Sequence, residues 1–220
     1  MLLADIGTSY AKLMDTETGT YRLVAVRDLP ADGRRADWAT GHNGKRFGGR
    51  YVNELTALAR GGAALIEEPS FTLLDCGSRD IKFVRYENGA VKDMGWNDEC
   101  GASMGFTIEL LQRYYQLDFG AMSVPPRSLP ITCGVLGISA IFDAVVNGQS
   151  ESEAVARFIK GIALNGYQFA GSPDTLYLSG GLCENPLFTG SFPCTVVCLG
   201  RWVLLEGLKV SIGMVTRDLL

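Results

Sequence analysis

The sequence predicts an α/β protein of two lobes, with a boundary near residues 95–98. Three observations carry that expectation. The first part of the chain alternates short apolar runs with turn residues, as strands do. Between Ala102 and Ile162, on either side of the break "SVPPRSLP", apolar residues fall at helical spacing. And a strand–turn–strand unit at the start of the chain returns, loosely, in residues 71–94. The lobes are expected at 1–95 and 96–205, with 206–220 a helix returning to the first lobe.

The elements follow in order. Leu2, Leu3, Ala4 and Ile6 predict a first strand, Ala11 to Met14 a second, and Tyr21 to Val26 a third after the turn "DTETGT". From Ala31 to Gly49 the pattern breaks into a polar, glycine-rich loop. Tyr51 to Ile66 reads as a helix with Val52, Leu55, Leu58 and Ala59 on one face. Phe71 to Leu74, Ile81 to Tyr86 and Ala90 to Met94 predict three more strands, the last two joined by the hairpin turn "ENGA". Helices are expected over Ala102–Tyr115 and Cys133–Val146, and after the capping box "SESE" a third carries Val155, Phe158, Ile159 and Ile162. "TLYLSGGLCENP" predicts a strand, a Gly-Gly turn and a helix start. "CTVVCL" predicts a short strand with Cys194 and Cys198 on the same face.

Composition narrows the function. Hydrophobic residues make up 47% of the chain, enough for a real core. A net charge of −4 with dispersed basic residues argues against nucleic acid as the main partner. No apolar run approaches membrane-spanning length and no secretory leader is recognisable, so no membrane partner and a cytoplasmic location are expected. Thiols stay reduced there. The six cysteines form no CxxC pair, and one histidine, His42, makes a zinc site hard to assemble.

The chemistry concentrates in two turns. In "DIGTSYAK" Gly7 lets the backbone turn tightly and approach a phosphate, whose oxygens amide groups and the Thr8 and Ser9 hydroxyls can bond. Asp5, at the strand end, suits Mg²⁺ bound through water, and Lys12 is a cation close by. "DCGSRDIK" repeats the plan with Asp75, Gly77, Ser78, Arg79, Asp80 and Lys82. A DxG turn alone is commonly a plain β-turn. Two of them, each inside a strand–turn–strand and each followed by a lysine, form a pattern. "SGG" at Ser179 to Gly181 supplies a third glycine turn at the start of a helix.

Together these motifs resemble the nucleotide-binding fold of actin, sugar kinases and Hsp70 (ribonuclease H-like), here with a shortened first lobe. The chain is most similar to one branch of it, the ATPase activators of 2-hydroxyacyl-CoA dehydratases and the ATP-binding subunits of benzoyl-CoA reductase. The branch carries a D-x-G-S/T-x-x-x-K turn, as in "DIGTSYAK", and an A-T-G loop, as in "ATGHNGKR" (Ala39 to Arg46). A helix with S/N-E-L matches "VNELTALA", and D-I-G-G-Q-D-x-K is like "DCGSRDIK". N-D-K-C-A-A-G-T-G is like "NDECGASMG", a second helix-opening cysteine is like "TCGVLGISAIF", and T/S-G-G-x-x-x-N matches "SGGLCEN".

The resemblance implies ATP or ADP with Mg²⁺ bound between the lobes. Asp5 and Asp75 would take the metal and position water. Gly180, Gly181 and Asn185 would form the adenosine-side turn, and Asn97 and Asp98 would join the nucleotide site to the cluster helix. It also implies that Cys100 and Cys133 each give a thiolate to one [4Fe-4S] cluster shared with a second copy or a paralogue. Both cysteines precede a predicted helix, whose partial positive charge lowers a thiol pKa. Two ligands per chain leave the four-thiolate shell to be completed by a second chain. The implied activity is ATP-dependent one-electron transfer from a ferredoxin- or flavodoxin-like donor to an Fe–S reductase or dehydratase. Cys76, Cys183, Cys194 and Cys198 match no family ligand and read as core or incidental.

The chain departs from the family pattern at several points. It is short between Val26 and Ala39, Ser78-Arg79 stands for Gly-Gln, Met104 for Thr, Phe106 for Arg, and Ile138 and Ala140 for two glutamates. Two alternatives therefore stay open: a non-hydrolysing subunit of a larger reductase complex, favoured by Arg79 and the short first lobe, and a cluster-free small-molecule kinase with Asp80 or Asp98 as base.

Overall fold

The computed structural model describes residues 1–29, 35–98, 105–132 and 134–217. The described residues fall into two compact units, one drawn from 1–71, 84–94 and 201–217, the other from 72–83 and 95–200.

In the first unit, β1 (Leu2–Ile6), β2 (Tyr10–Asp15) and β3 (Thr20–Ala25) form the expected antiparallel meander. β4 (Ala36–Thr40) and β5 (Gly48–Tyr51) extend it on the far side of β1 in parallel, giving the order β3-β2-β1-β4-β5. These two strands correct the reading of Ala31 to Gly49 as loop. Asp37 and paired glycines hide a strand pattern, and what holds β4 is non-local pairing, Leu3 opposite Trp38. A single helical turn, α1 (Gly44–Phe47), joins β4 to β5. α2 (Glu54–Leu65) begins three residues later than Tyr51, because Asn53 accepts a hydrogen bond from the Leu55 amide at 2.9 Å and caps it.

The second sheet has the order β10-β9-β6-β7-β8, built from β6 (Phe71–Cys76), β7 (Ile81–Glu87), β8 (Ala90–Asn97), β9 (Thr175–Ser179) and β10 (Thr195–Gly200). β9 runs parallel to both β6 and β10. Its helices are α3 (Gly105–Tyr115), α4 (Gly134–Val146), α5 (Glu151–Phe169) and the short α6 (Pro186–Thr189). The capping box forms as expected: Ser150 accepts from the Glu153 amide at 3.2 Å. The stripe Val155, Phe158, Ile159 and Ile162 is buried in a core with Leu74, Leu176 and Leu178.

α7 (Val203–Arg217) clusters with the first unit. The partition moves the second glycine turn out of the first lobe, where the boundary at residue 95 had put it. β6 finds its parallel partner at residues 175–179, with Leu73 opposite Tyr177 and Asp75 opposite Ser179. A pairing across that much sequence leaves no local signal.

Candidate functional site

The two glycine turns are the same object built twice. The Gly7 amide donates to the Tyr10 carbonyl at 3.1 Å, and the Gly77 amide donates to the Asp80 carbonyl at 3.1 Å. A Cβ on Gly7 would lie 3.2 Å from Tyr10 O, and one on Gly77 3.3 Å from Asp80 O. In both the backbone folds too closely for a side chain to sit without displacing it.

Around the first turn, Asp5 is buried and accepts from Lys12 Nζ at 2.7 Å, directly across the β1–β2 ladder. Thr8 is exposed and Ser9 half-buried. The loop after β4 closes on the turn: the Asn43 side-chain amide donates to Gly7 O at 2.8 Å, and its backbone amide to Ile6 O at 2.9 Å. Sequence reasoning assigned nothing to Asn43. The "ATGHNG" loop that contains it was the available signal.

The second turn distributes its charges differently. Asp75 is buried and accepts from Ser179 Oγ at 2.7 Å. Among the described residues no cation is within salt-bridge distance of it. Lys82, in the position corresponding to Lys12, instead donates to Asp80 at 2.7 Å and is 2% exposed. Trp96 Nε1 donates to the other Asp80 oxygen at 2.9 Å, and Lys82 Nζ stands 4.9 Å from the centre of its ring. Arg79 is exposed. Asn97 closes β8, half-buried, and Asp98 follows it, exposed.

A cavity of about 330 Å³ opens beside this second turn, within the size range of small-ligand sites. The expected residues Gly77, Ser78, Gly181 and Asn185 line it. Gly180, at φ 93°, lies against the backbone of Cys76, where a Cβ would meet Cys76 O at 2.3 Å, whereas Gly181 faces open space. Asn185 uses Oδ1 to cap α6, accepting from the Leu187 and Phe188 amides at 3.0 and 3.1 Å. Sequence reasoning missed the wall from α3, where Ile108, Glu109 and Gln112 reach the cavity. Glu109 and Gln112, three residues apart beside a buried isoleucine, were the readable sign.

These turns suit a nucleotide with its cation. Each offers a close-approach backbone, and Asp75 is a buried carboxylate with one hydroxyl donor, a cost that a divalent cation would offset. The cysteines expected as cluster ligands stand differently. Cys100 and Cys133 lie outside the described residues, and among the described residues no group of three or more His, Cys, Asp or Glu side chains is placed to hold a metal.

Cys76 and Cys183 sit beneath the Gly-Gly turn. Burial pushes the Cys76 thiol well above its ordinary value and that of Cys183 up to about 12. Cys183 Sγ donates to Gly180 O at 2.9 Å. The unfolded chain ionises these thiols near pH 9 and the native chain does not, so the stability they contribute is intact below about pH 9 and falls as pH rises towards 12. Each thiol lowers the stability further as the pH rises through that window. Urea denaturation under reducing conditions should show the midpoint falling above pH 9, and less steeply in Cys183→Ala. A midpoint equally steep in both proteins would remove Cys183 as a source.

No family model matches the chain. It is 24% identical over 159 residues to the (R)-2-hydroxyglutaryl-CoA dehydratase activating ATPase of Acidaminococcus fermentans, across 67% of this chain and 61% of that one. It is 28% identical over 163 residues to the activator of lactoyl-CoA dehydratase of Anaerotignum propionicum, across 69% of this chain and 59% of that one. The chain thus spans about three fifths of the length of these curated relatives. Its fold matches the activator of 2-hydroxyisocaproyl-CoA dehydratase from Clostridium difficile, solved with bound ADPNP, at a TM-score of 0.78. The match covers 100% of this chain and 97% of that one at 16% identity. The chain resembles the dehydratase activators. Its two mixed sheets with helices are the actin-like ATPase fold that these activators share with sugar kinases. No described helix is long and apolar enough to cross a membrane.

Proposed function

We propose that this activator-like chain binds ATP with Mg²⁺ and uses its hydrolysis to drive electron transfer to a partner Fe–S dehydratase or reductase. The observation that carries this reading is the doubled glycine turn, with its matching 3.1 Å amide–carbonyl bonds and a buried aspartate at each preceding strand end. The names of the relatives supply the kind of partner. At each turn the buried aspartate is the carboxylate suited to a hydrated cation, and the backbone at Gly7 and at Gly77 is suited to phosphate oxygens. The cavity beside Gly181 takes the adenosine, with Ile108 and Leu182 as its apolar walls.

Cys100 and Cys133 of two copies, or of this chain and a paralogue, would hold one [4Fe-4S] cluster, with a ferredoxin- or flavodoxin-like protein as the electron donor. Such a cluster supplies one-electron transfer at low potential. The coupling element is the second turn. The Phe106 amide donates to Ser78 O at 3.1 Å and Trp96 bonds Asp80, so this turn grips the chain on both sides of the segment bearing Cys100. A nucleotide shifts the electron-delivering state only as far as it binds that state better.

Anaerobic purification should give a brown dimer with about four irons and four sulfides per two chains. Iron-free, colourless protein that still hydrolyses ATP would leave the kinase reading in its place. Asp75→Asn should keep the fold, because asparagine still accepts from Ser179, and lower ATP turnover about a hundredfold or more. Full turnover in that variant would remove Asp75 from the metal site.

A further inference from the structure

The two halves share more than their turns. β1 runs parallel to β4 with Asp5 opposite Thr40, and β6 runs parallel to β9 with Asp75 opposite Ser179. In each case the next residue is a glycine with positive φ, 91° at Gly41 and 93° at Gly180. A Cβ on Gly41 would meet Ile6 O at 2.5 Å, and one on Gly180 would meet Cys76 O at 2.3 Å. So each glycine lies against the residue that follows the aspartate.

The copies differ in where the hydroxyl goes. Ser179 donates to Asp75 at 2.7 Å. Thr40 is completely buried, and its Oγ1 has no hydrogen-bond partner among the described residues. Asp5 has given Oδ2 to Lys12 instead. Residues directly opposite on neighbouring strands project from the same face, so Lys12, Asp5 and Thr40 form one row across β2, β1 and β4. A buried hydroxyl with no partner is destabilising, and valine would fill the same volume without that cost.

We infer that Thr40 is a positioning residue that, together with Asp5, holds one water molecule of the nucleotide site. The Lys12–Asp5 pair is neutral overall, so the row presents a carboxylate oxygen beside a hydroxyl, the acceptor and donor that a bound water satisfies. This rests on the nucleotide reading above. The water is either a coordination water of Mg²⁺ or the water that attacks the terminal phosphate. In the second case its oxygen bonds to the terminal phosphorus as the bond to the bridging oxygen of ADP breaks, and its proton leaves through Asp5.

Thr40→Val and Thr40→Ser test this beside the wild type. Without ligand, Thr40→Val should melt at or above the wild-type temperature, because it removes a hydroxyl that bonds nothing. In ATP hydrolysis it should lose about 10- to 100-fold in kcat with little change in nucleotide affinity if the water is the attacking one. If the water belongs to the cation, the Mg²⁺ concentration for half-maximal rate should rise by about tenfold or more instead. Thr40→Ser should behave as wild type. A crystal structure with a non-hydrolysable ATP analogue should place a water within hydrogen-bond distance of Thr40 Oγ1. The inference is overturned if Thr40→Val hydrolyses ATP normally at every Mg²⁺ concentration, or if it melts well below wild type, which would mean a structural partner. If the wild type binds no nucleotide, the functional reading itself has failed, and this inference with it.

Discussion

Gly207→Val should destabilise the protein severely. α2 and α7 approach each other backbone to backbone, through two glycines. A Cβ on Gly207 would stand 1.8 Å from Ala57 O, and one on Gly61 would stand 2.0 Å from Val203 O. Both obstacles are main-chain oxygens inside a helix, so no side chain can rotate away to make room. The helices would have to separate, and separation pulls apart Leu58, Leu204, Leu205 and Leu208, all buried. Overpacking of a core typically costs about 1–3 kcal/mol, and a clash with backbone belongs at or beyond the upper end. A loss of about 3 kcal/mol corresponds to a fall in Tm of roughly 6–12 °C for a chain of this size. Gly213→Ala, in the same helix, is the control. Nothing lies within 4 Å of its added Cβ, and alanine gains up to about 1 kcal/mol of helix propensity. Thermal melts in which Gly207→Val and Gly213→Ala move together would refute the close-crossing account.

Neither glycine could have been found in the sequence. In a helical pattern an isolated glycine reads as a weak point, and its partner helix lies at the other end of the chain. The features that were legible are those encoded locally. The aspartate, glycine and lysine of each turn fall within eight residues, and the cap at Ser150 and the stripe from Val155 to Ile162 are likewise contiguous. Features that depend on distant pairing were not legible. β4 exists because it lies along β1, and Asp75 meets Ser179 because β6 lies along β9. The same limit hid Thr40. It belongs to the "ATG" motif, yet its standing opposite Asp5 is a fact of sheet register. Lys82 is a different case. The motif groups it with phosphate-binding residues, and the fold buries it against Asp80.

That burial makes Lys82→Met a severe change with a specific rescue. The ammonium and the Asp80 carboxylate are 2.7 Å apart, with side-chain exposures of 2% and 11%. Removing one member of a buried pair leaves an uncompensated charge, at a cost of roughly 3–5 kcal/mol. The indole of Trp96 offsets part of this, because it still donates to Asp80. Adding Asp80→Asn to Lys82→Met should recover most of the loss. Methionine fills the lysine stem's volume, and the asparagine carbonyl still accepts from Trp96. The double-mutant cycle in urea should therefore give a coupling of about 2 kcal/mol or more, and additive losses would show that the pair contributes nothing as a pair. The same variants separate two roles for the turn. If Lys82 and Asp80 serve to fix the hydrogen bond between Gly77 N and Asp80 O, the double variant should bind nucleotide about as well as wild type once folded. If either contacts a phosphate directly, affinity stays low even where stability has returned. With Lys82 98% removed from solvent, the first result is the one expected, and phosphate recognition at this turn then falls to the backbone amides around Gly77 and to Ser78.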